Sequence, residues 1–307
     1  MITINGLEFQ DKRFPDNTFN MTANAVTFLN NQVANIEAAP DMAYNRQRAQ
    51  FERSFEEPFC IEWYYERPEE LLMLQFIVRH LRDKLGAQHI NLFMPYVPNA
   101  RMDRTKEPMA EVNVLKYFCQ IINELNFNCV QVFDVHSDAT LNQLDRCIQV
   151  PTKDFVLDVV DGHHDDGLGY DFLFFPDAGA QKRYGSTYNF RPFLVGEKTR
   201  DWSTGRLQNL IAHNPMNLDL SSTNIAGKRI LIVDDICSYG GTFLMAAQAL
   251  KNIGFEHIGL YVTHCEDSIY KGHIFDEGSP IEKVYTTNSL HRREPTYTKP
   301  LVTMEID

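Results

Sequence analysis

Residues 230–242 read ILIVDDICSYGGT. Four apolar residues run into Asp234 and Asp235, and a turn of small residues follows before a helical pattern begins at Thr242 and continues to Ile253. An apolar run of this length reads as a buried strand, and the chain must leave it through a tight turn into a helix. Side chains alternate along a strand, which predicts one carboxylate on each side of the sheet edge, within reach of a vicinal diol or a hydrated Mg²⁺. The turn offers consecutive backbone N–H groups, and the helix N-terminus adds its positive dipole end; together they suit a phosphate. Gly240 and Gly241 permit close backbone approach. Thr242 is expected to offer a hydroxyl and start the helix. A Gly-Gly-Thr turn alone would read as a plain strand–helix connection. Joined to the acid pair, it reads as a ribose-phosphate site.

The same alternation runs along the rest of the chain. The segment 68–87 has a helical apolar period stopped by Gly86, 89–96 reads as a strand stopped by Pro95, 109–126 as a helix and 129–136 as a strand. Further strands are expected at 171–175, 192–196 and in HIGLYVTH, with KVYTTNSL as a short edge strand. Strand–helix–strand alternation predicts an α/β fold with mostly parallel sheets and crossover helices. The irregular, Gly/Asp-rich stretch 161–171 lies near the join of two halves, giving domains 1–150 and 151–307. Ligands in such sheets bind at the carboxyl ends of the strands. That rule singles out 96–104, 134–138, Asp177, 198–200 and 234–242.

Bulk properties narrow the function classes. The 307 residues are 44% hydrophobic and carry a net charge of −12. Such a chain can bury a core, and its acidic surface repels nucleic acid. No window reaches transmembrane length, so no membrane role is expected. The six cysteines show no paired metal-ligand spacing and read as reduced thiols of a cytoplasmic protein. The HHDD run at 163–166 lacks a spaced partner and reads as a solvated loop.

Several segments resemble, in order, the motifs of ribose-phosphate diphosphokinases (PRPP synthetases), whose fold is similar to that of type I phosphoribosyltransferases. They are RFPDNTF (13–19), PYVPNARMDR (95–104), DVHSD (134–138), FPDAGAQKR (175–183), EKTRD (197–201), the acid-pair turn and TTNSL (286–290). The resemblance implies two phosphoribosyltransferase-like α/β domains and Mg-dependent transfer of the β,γ-diphosphoryl group of ATP to the C1 hydroxyl of ribose 5-phosphate. It implies ATP contacts from Phe14, Asp16, Arg101, Met102, Asp103, Arg104 and His136, and Mg²⁺ held by His136 and Asp177. Lys198 and Arg200 are then the catalytic cations. Two apart, they would share one face of a strand and point at the transferring phosphoryl group. Asp177, Asp234, Asp235, Ser238, Tyr239, Gly240, Gly241 and Thr242 would hold the ribose phosphate. In the family the loop carrying Phe14 and Asp16 comes from a neighbouring subunit, which implies a homo-oligomer, either a dimer or a hexamer of dimers.

The chain departs from that pattern in specific places. The opening strand–helix unit that the family places before the RFPD loop has no counterpart. Met102 stands for Gln in ARQDR, and Thr18 for the Glu of the first loop. In the phosphate turn, Ser238 stands for Asp and Tyr239 for Thr. The first of these removes a carboxylate near the ribose, and the second adds bulk. Both suit a ribose whose 5-phosphate is a diester, as in ADP-ribose. A PRPP-consuming phosphoribosyltransferase would lack the ARMDR and DVHSD elements. A non-catalytic regulatory subunit would tend to lose Lys198 or Arg200.

Overall fold

The computed structural model describes residues 2–4, 7–8, 12–13, 19–20, 59–105, 111–164, 167–188, 191–200, 207–291 and 301–306, and only the backbone of Thr3, Leu7, Glu8, Lys12, Arg13, Phe19, Asn20, Lys84, Leu85, Lys198, Thr199, Arg200, Leu207, Gln208 and Asn209. The chain forms two compact units, Met1–Val150 and Pro151–Asp307. Both are α/β, with sheets flanked by helices.

In the first unit the strands are β1 (Ile2–Ile4), β2 (Leu7–Glu8), β5 (Phe59–Trp63), β6 (Ile90–Met94), β7 (Cys129–Phe133) and β8 (Cys147–Val150), in sheet order β2-β1-β5-β6-β7-β8. β5 to β8 are parallel, and β1 is antiparallel to β5. A separate small hairpin joins β3 (Lys12–Arg13) to β4 (Phe19–Asn20). Helix α1 (Glu70–Leu85) connects β5 to β6. Its Leu74, Ile77, Val78 and Leu81 are buried at helical spacing, which is why this segment helps build the core. Gly86 ends it in the left-handed conformation, φ 66°, as the glycine at that position predicts. Helix α2 (Val114–Glu124) is shorter than the 109–126 expected, because Asn113 caps it by accepting from the Lys116 N–H. A short helix, α3 (Asp138–Gln143), leads to β8.

In the second unit the sheet order is β11-β10-β9-β12-β13-β14-β15. These strands are β9 (Phe172–Phe175), β10 (Phe193–Arg200), β11 (Leu207–His213), β12 (Arg229–Cys237), β13 (His257–Cys265), β14 (Lys283–Thr287) and β15 (Leu301–Met304). All pair in parallel except β11, which is antiparallel to β10. The expected edge strand, KVYTTNSL, contains β14, which is interior: β15 pairs on its outer side.

The two-residue period of β12 builds two cores. Ile230 and Ile232 face helix α7 (Gly241–Ile253), packing with Phe243, Ala246, Ala247 and Leu250. Leu231 and Val233 face the other side, packing with Val156, Val159 and Val160 of α4 (Lys153–Val160) and with Ala180 and Tyr184 of α5 (Ala178–Tyr184). A strand covered on both faces must be apolar throughout, which explains the unbroken run at 230–233. A small helix, α6 (Ser222–Ile225), precedes β12. No described helix is long and apolar enough to cross a membrane.

Candidate functional site

Parallel pairing brings the carboxyl ends of neighbouring strands to one edge, and the motif residues gather there. In the first unit, ARMDR follows β6 and DVHSD follows β7. Ser137 Oγ donates to Asp103 Oδ2 at 2.8 Å and joins the two segments. Asp103 also takes a two-point contact from Arg104, Nε to Oδ1 at 2.7 Å and the terminal nitrogen to Oδ2 at 3.0 Å. The Arg104 hydrogen bond is the main cause of a lowered Asp103 pKa, and the Ser137 bond adds to it. Arg104 is thus partnered by its own neighbour, while Arg101 and Met102 are solvent-exposed beside it. Asp134 opens the DVHSD turn with φ 43°, a backbone conformation uncommon outside glycine. His136 is half-buried on the same turn. Phe14 and Asp16 lie outside the described residues.

In the second unit, Asp177 follows β9 and caps α5, its Oδ1 accepting from the Ala180 N–H at 2.9 Å. Seven residues later, α5 presents Tyr184; just before it, Arg183 reaches the acid pair. One terminal nitrogen of Arg183 donates to Asp234 Oδ1 at 2.8 Å and to Asp235 Oδ1 at 2.7 Å. The expectation of one carboxylate on each side of the sheet is therefore corrected: both meet one guanidinium. The reason is local. Pairing of β12 with β9 stops at Ile232, so the acids have an open flank, and Asp234 Oδ1 accepts the Asp235 N–H. The acids also lie inside β12, whose pairing with β13 continues to Cys237. Asp234 is held well above the usual carboxylate range, first by burial and then by the charge of Asp235; Arg183 opposes both. Arg183 was missed among the site residues, although it closes the FPDAGAQKR motif, because a lone Arg on a helix carries no sequence sign of its partner 51 residues on.

The turn that follows is built on Gly240, in the left-handed conformation at φ 83°. Gly240 is the N-cap of α7, and Thr242 is the helix's second residue, so the expected Thr242 start is corrected by one turn position. The first helical bonds run from the Phe243 and Leu244 N–H groups to the Gly240 carbonyl. The N–H groups of Gly241 and Thr242 thus precede the helical ladder, as a phosphate cradle requires. Tyr239 projects into solvent, 58% exposed. Behind the turn stands the segment after β13. A Cβ on Gly272 would meet the Tyr239 carbonyl, and one on Gly240 would meet Ile274.

Ser238 shows a second correction. Replacing Asp by Ser does not empty this corner of carboxylate, because Glu266 reaches it from the end of β13. Glu266 Oε2 accepts from Ser238 Oγ and, at 2.8 Å, from Ser268 Oγ. The Glu266 N–H donates to the Cys237 carbonyl at 2.8 Å, fixing the backbone as well. Next to it, the TTNSL segment forms a buried polar network. Thr287 Oγ1 and Ser289 Oγ both donate to the Thr263 carbonyl, and His264 Nδ1 lies 2.8 Å from Ser289 Oγ.

Lys198 and Arg200 lie at the end of β10, in the hairpin with β11, rather than after the strand. Lys198 pairs with Leu210, but the register shifts between Thr199 and Arg200. A bulge there breaks strict alternation, so spacing alone does not put both on one face. Their side chains lie outside the described residues.

A phosphoribosyl transferase domain family matches residues 189–284, which contain the acid pair and the turn. A ribose-phosphate pyrophosphokinase of Pyrococcus abyssi is 26% identical over 212 residues, covering 68% of each chain. One from Thermococcus kodakarensis is 28% identical over 233 residues, covering 74% of this chain and 75% of that protein. The chain is thus similar, over two thirds or more of its length, to ribose-phosphate pyrophosphokinases. A phosphoribosylpyrophosphate synthetase from Mycobacterium smegmatis shares the fold, with a TM-score of 0.59 at 20% identity over 76% of this chain and 73% of that one.

Proposed function

We propose that this ribose-phosphate pyrophosphokinase relative transfers the β,γ-diphosphoryl group of ATP to the C1 hydroxyl of a ribose 5-phosphate-type acceptor. The C1 oxygen bonds to the β-phosphorus, and the bond from that phosphorus to its bridging oxygen toward the α-phosphate breaks. AMP carries away the electron pair, and the hydroxyl proton passes to water. The observation that carries this reading is the Ser137–Asp103 bond, which gathers ARMDR and DVHSD at one edge of the first unit. A phosphoribosyltransferase that consumes PRPP has no use for that second constellation.

In this reading Asp234 and Asp235 accept from the ribose hydroxyls. A carboxylate has roughly four lone-pair sites, so the Arg183 contacts leave acceptor capacity on the pair. The turn from Ser238 to Thr242 holds the phosphate. Arg101 and Arg104 contact the triphosphate, Arg104 by exchanging Asp103 for phosphate oxygens. Lys198 and Arg200 neutralise charge on the transferring group. Phe14 and Asp16 serve the adenine of a neighbouring protomer in a homo-oligomer.

Mg²⁺ fits the donor chemistry. It takes hard oxygen ligands, keeps waters, and binds through one or two carboxylates plus substrate phosphates. Asp177 offers such a carboxylate at a strand end of the second unit; His136, after β7 in the first, would add an imidazole nitrogen, a softer donor than this ion usually takes. No group of three or more metal-ligating side chains clusters among the described residues, and binding shared with substrate phosphates does not call for one. When bound, Mg²⁺ would offset the negative charge of the phosphates.

A second reading keeps the reaction and changes the acceptor to a ribose whose 5-phosphate carries a further group, such as ADP-ribose. Exposed Tyr239 favours it, since an aromatic at the turn can stack on what lies beyond the phosphate. AMP release from Mg-ATP, with each acceptor offered separately, tests both. Release with ribose 5-phosphate supports the first reading, release with ADP-ribose alone the second, and release with neither overturns both.

A further inference from the structure

We propose that Glu266 sets the charge that the phosphate turn accepts, so that the site selects a singly charged phosphate, as in a phosphodiester or diphosphate linkage, over a terminal phosphate dianion. The inference rests on the reading of residues 238–242 as the acceptor's phosphate site.

Two hydroxyls, Ser238 Oγ and Ser268 Oγ, donate to the same oxygen of Glu266. The Glu266 backbone is tied to the Cys237 carbonyl, at the last residue of β12. The carboxylate is therefore held by two hydroxyls, and its backbone by a third bond, against the first residue of the turn. Its anchoring is local to this corner, so its charge cannot swing away to solvent without breaking both serine contacts. A phosphate cradled by the same turn would share this corner with the carboxylate, near enough for a second negative charge on the ligand to weaken binding about tenfold or more. A singly charged phosphate meets half that repulsion and still receives the helix N–H groups. Hydroxyls on a group beyond the phosphate would gain an acceptor in Glu266. Opposite lies Gly272, whose missing side chain lets the 272–274 segment close on Tyr239. That wall limits how far the turn can open to move a dianion away from the carboxylate.

Other charges surround Glu266. Asp267 and Lys271 lie on the 3-10 turn after β13, His273 pairs with Asp276 beyond it, and Asp234 and Asp235 stand on β12 with Arg183. His264 on β13 is bonded to Ser289, and His291 lies 3.7 Å from Asp267. All of these persist in Glu266→Gln, so a difference between that variant and the parent isolates the carboxylate. Gln can still accept from both serines, which keeps the corner folded.

The test is calorimetric binding, without ATP, of ribose 5-phosphate and ADP-ribose to the full chain at pH 5.5 and 8. A phosphate monoester gains its second charge near pH 6, whereas the diphosphate linkage of ADP-ribose keeps its charge. The parent is expected to lose about tenfold in ribose 5-phosphate affinity between the two pH values, and Glu266→Gln to lose little or to gain. Glu266→Asp, which retains the charge, should retain the loss. ADP-ribose should show no such step with any of the three proteins. An equal pH step in parent and Glu266→Gln overturns the proposal while leaving the phosphate site intact. Absence of binding by either sugar to any of the proteins overturns the reading of the turn, and the proposal with it.

Discussion

The acid pair shows how much one residue can decide. Asp234 and Asp235 have side chains only 12% and 4% exposed, and they share one Arg183 nitrogen, on a side chain 20% exposed. Two buried carboxylates facing one cation leave a surplus of negative charge, which is why Asp234 resists ionisation. Removing the cation exposes the whole of that surplus. Arg183→Leu is therefore expected to destabilise the second unit by about 3–5 kcal/mol, read in urea unfolding. Removing one acid should act in the opposite direction. Asp234 has a folded pKa raised above its unfolded value. Its contribution is fully favourable below the unfolded pKa and is lost as pH rises through the folded one. Asp234→Asn removes that loss. Below pH 4 the variant and parent should melt alike, whereas at pH 8 the variant should melt roughly 2–4 °C higher while losing acceptor binding. Equal melting shifts at both pH values would show that Asp234 is not strained by ionisation.

At the scale of elements, the strand–turn–helix unit of β12 and α7 was largely legible. The apolar run, the two glycines and the helical period all appear in the sequence, and β12, Gly240 and α7 follow from them. Helix α1 and its Gly86 stop were equally plain, because a glycine after a periodic run has one common use. The bulge in β10 was not legible, since EKTRD carries no residue type that demands one. Nor was Glu266 at the turn: it follows a strand that reads only as buried, and its partner Ser238 lies 28 residues away. Close approach explains the turn's sensitivity. In Gly240→Ala, a left-handed φ adds about 1–2 kcal/mol of strain, and the new methyl would press on Ile274. The variant should lose stability and acceptor affinity together. Pairing it with Ile274→Ala relieves the contact but not the backbone. A partial recovery of melting temperature is therefore expected; full recovery would mean that packing alone governs the turn.

Over the whole molecule, the alternation of strands and helices announced two α/β halves, but sequence order could not show which strands end each sheet. Strand β15, from 301–304, covers β14 and makes the late polar segment interior; that follows from tertiary pairing, not from any local pattern. The consequence is a second unit with its own doubly covered sheet. Among the described residues, its two apolar clusters draw on residues beyond 151, and the first unit's cluster on residues before 150. A segment with its own core can fold alone. Residues 151–307, produced separately, should therefore unfold in one cooperative step and still bind a ribose phosphate, because Asp234, Asp235, the turn and Glu266 all travel with it. It should release no AMP from Mg-ATP, because ARMDR and DVHSD do not. Calorimetry and AMP measurement on that fragment separate the two roles. AMP release by the fragment would remove the first unit from the proposed reaction, and a fragment that folds but binds neither sugar would place the acceptor site outside the second unit alone.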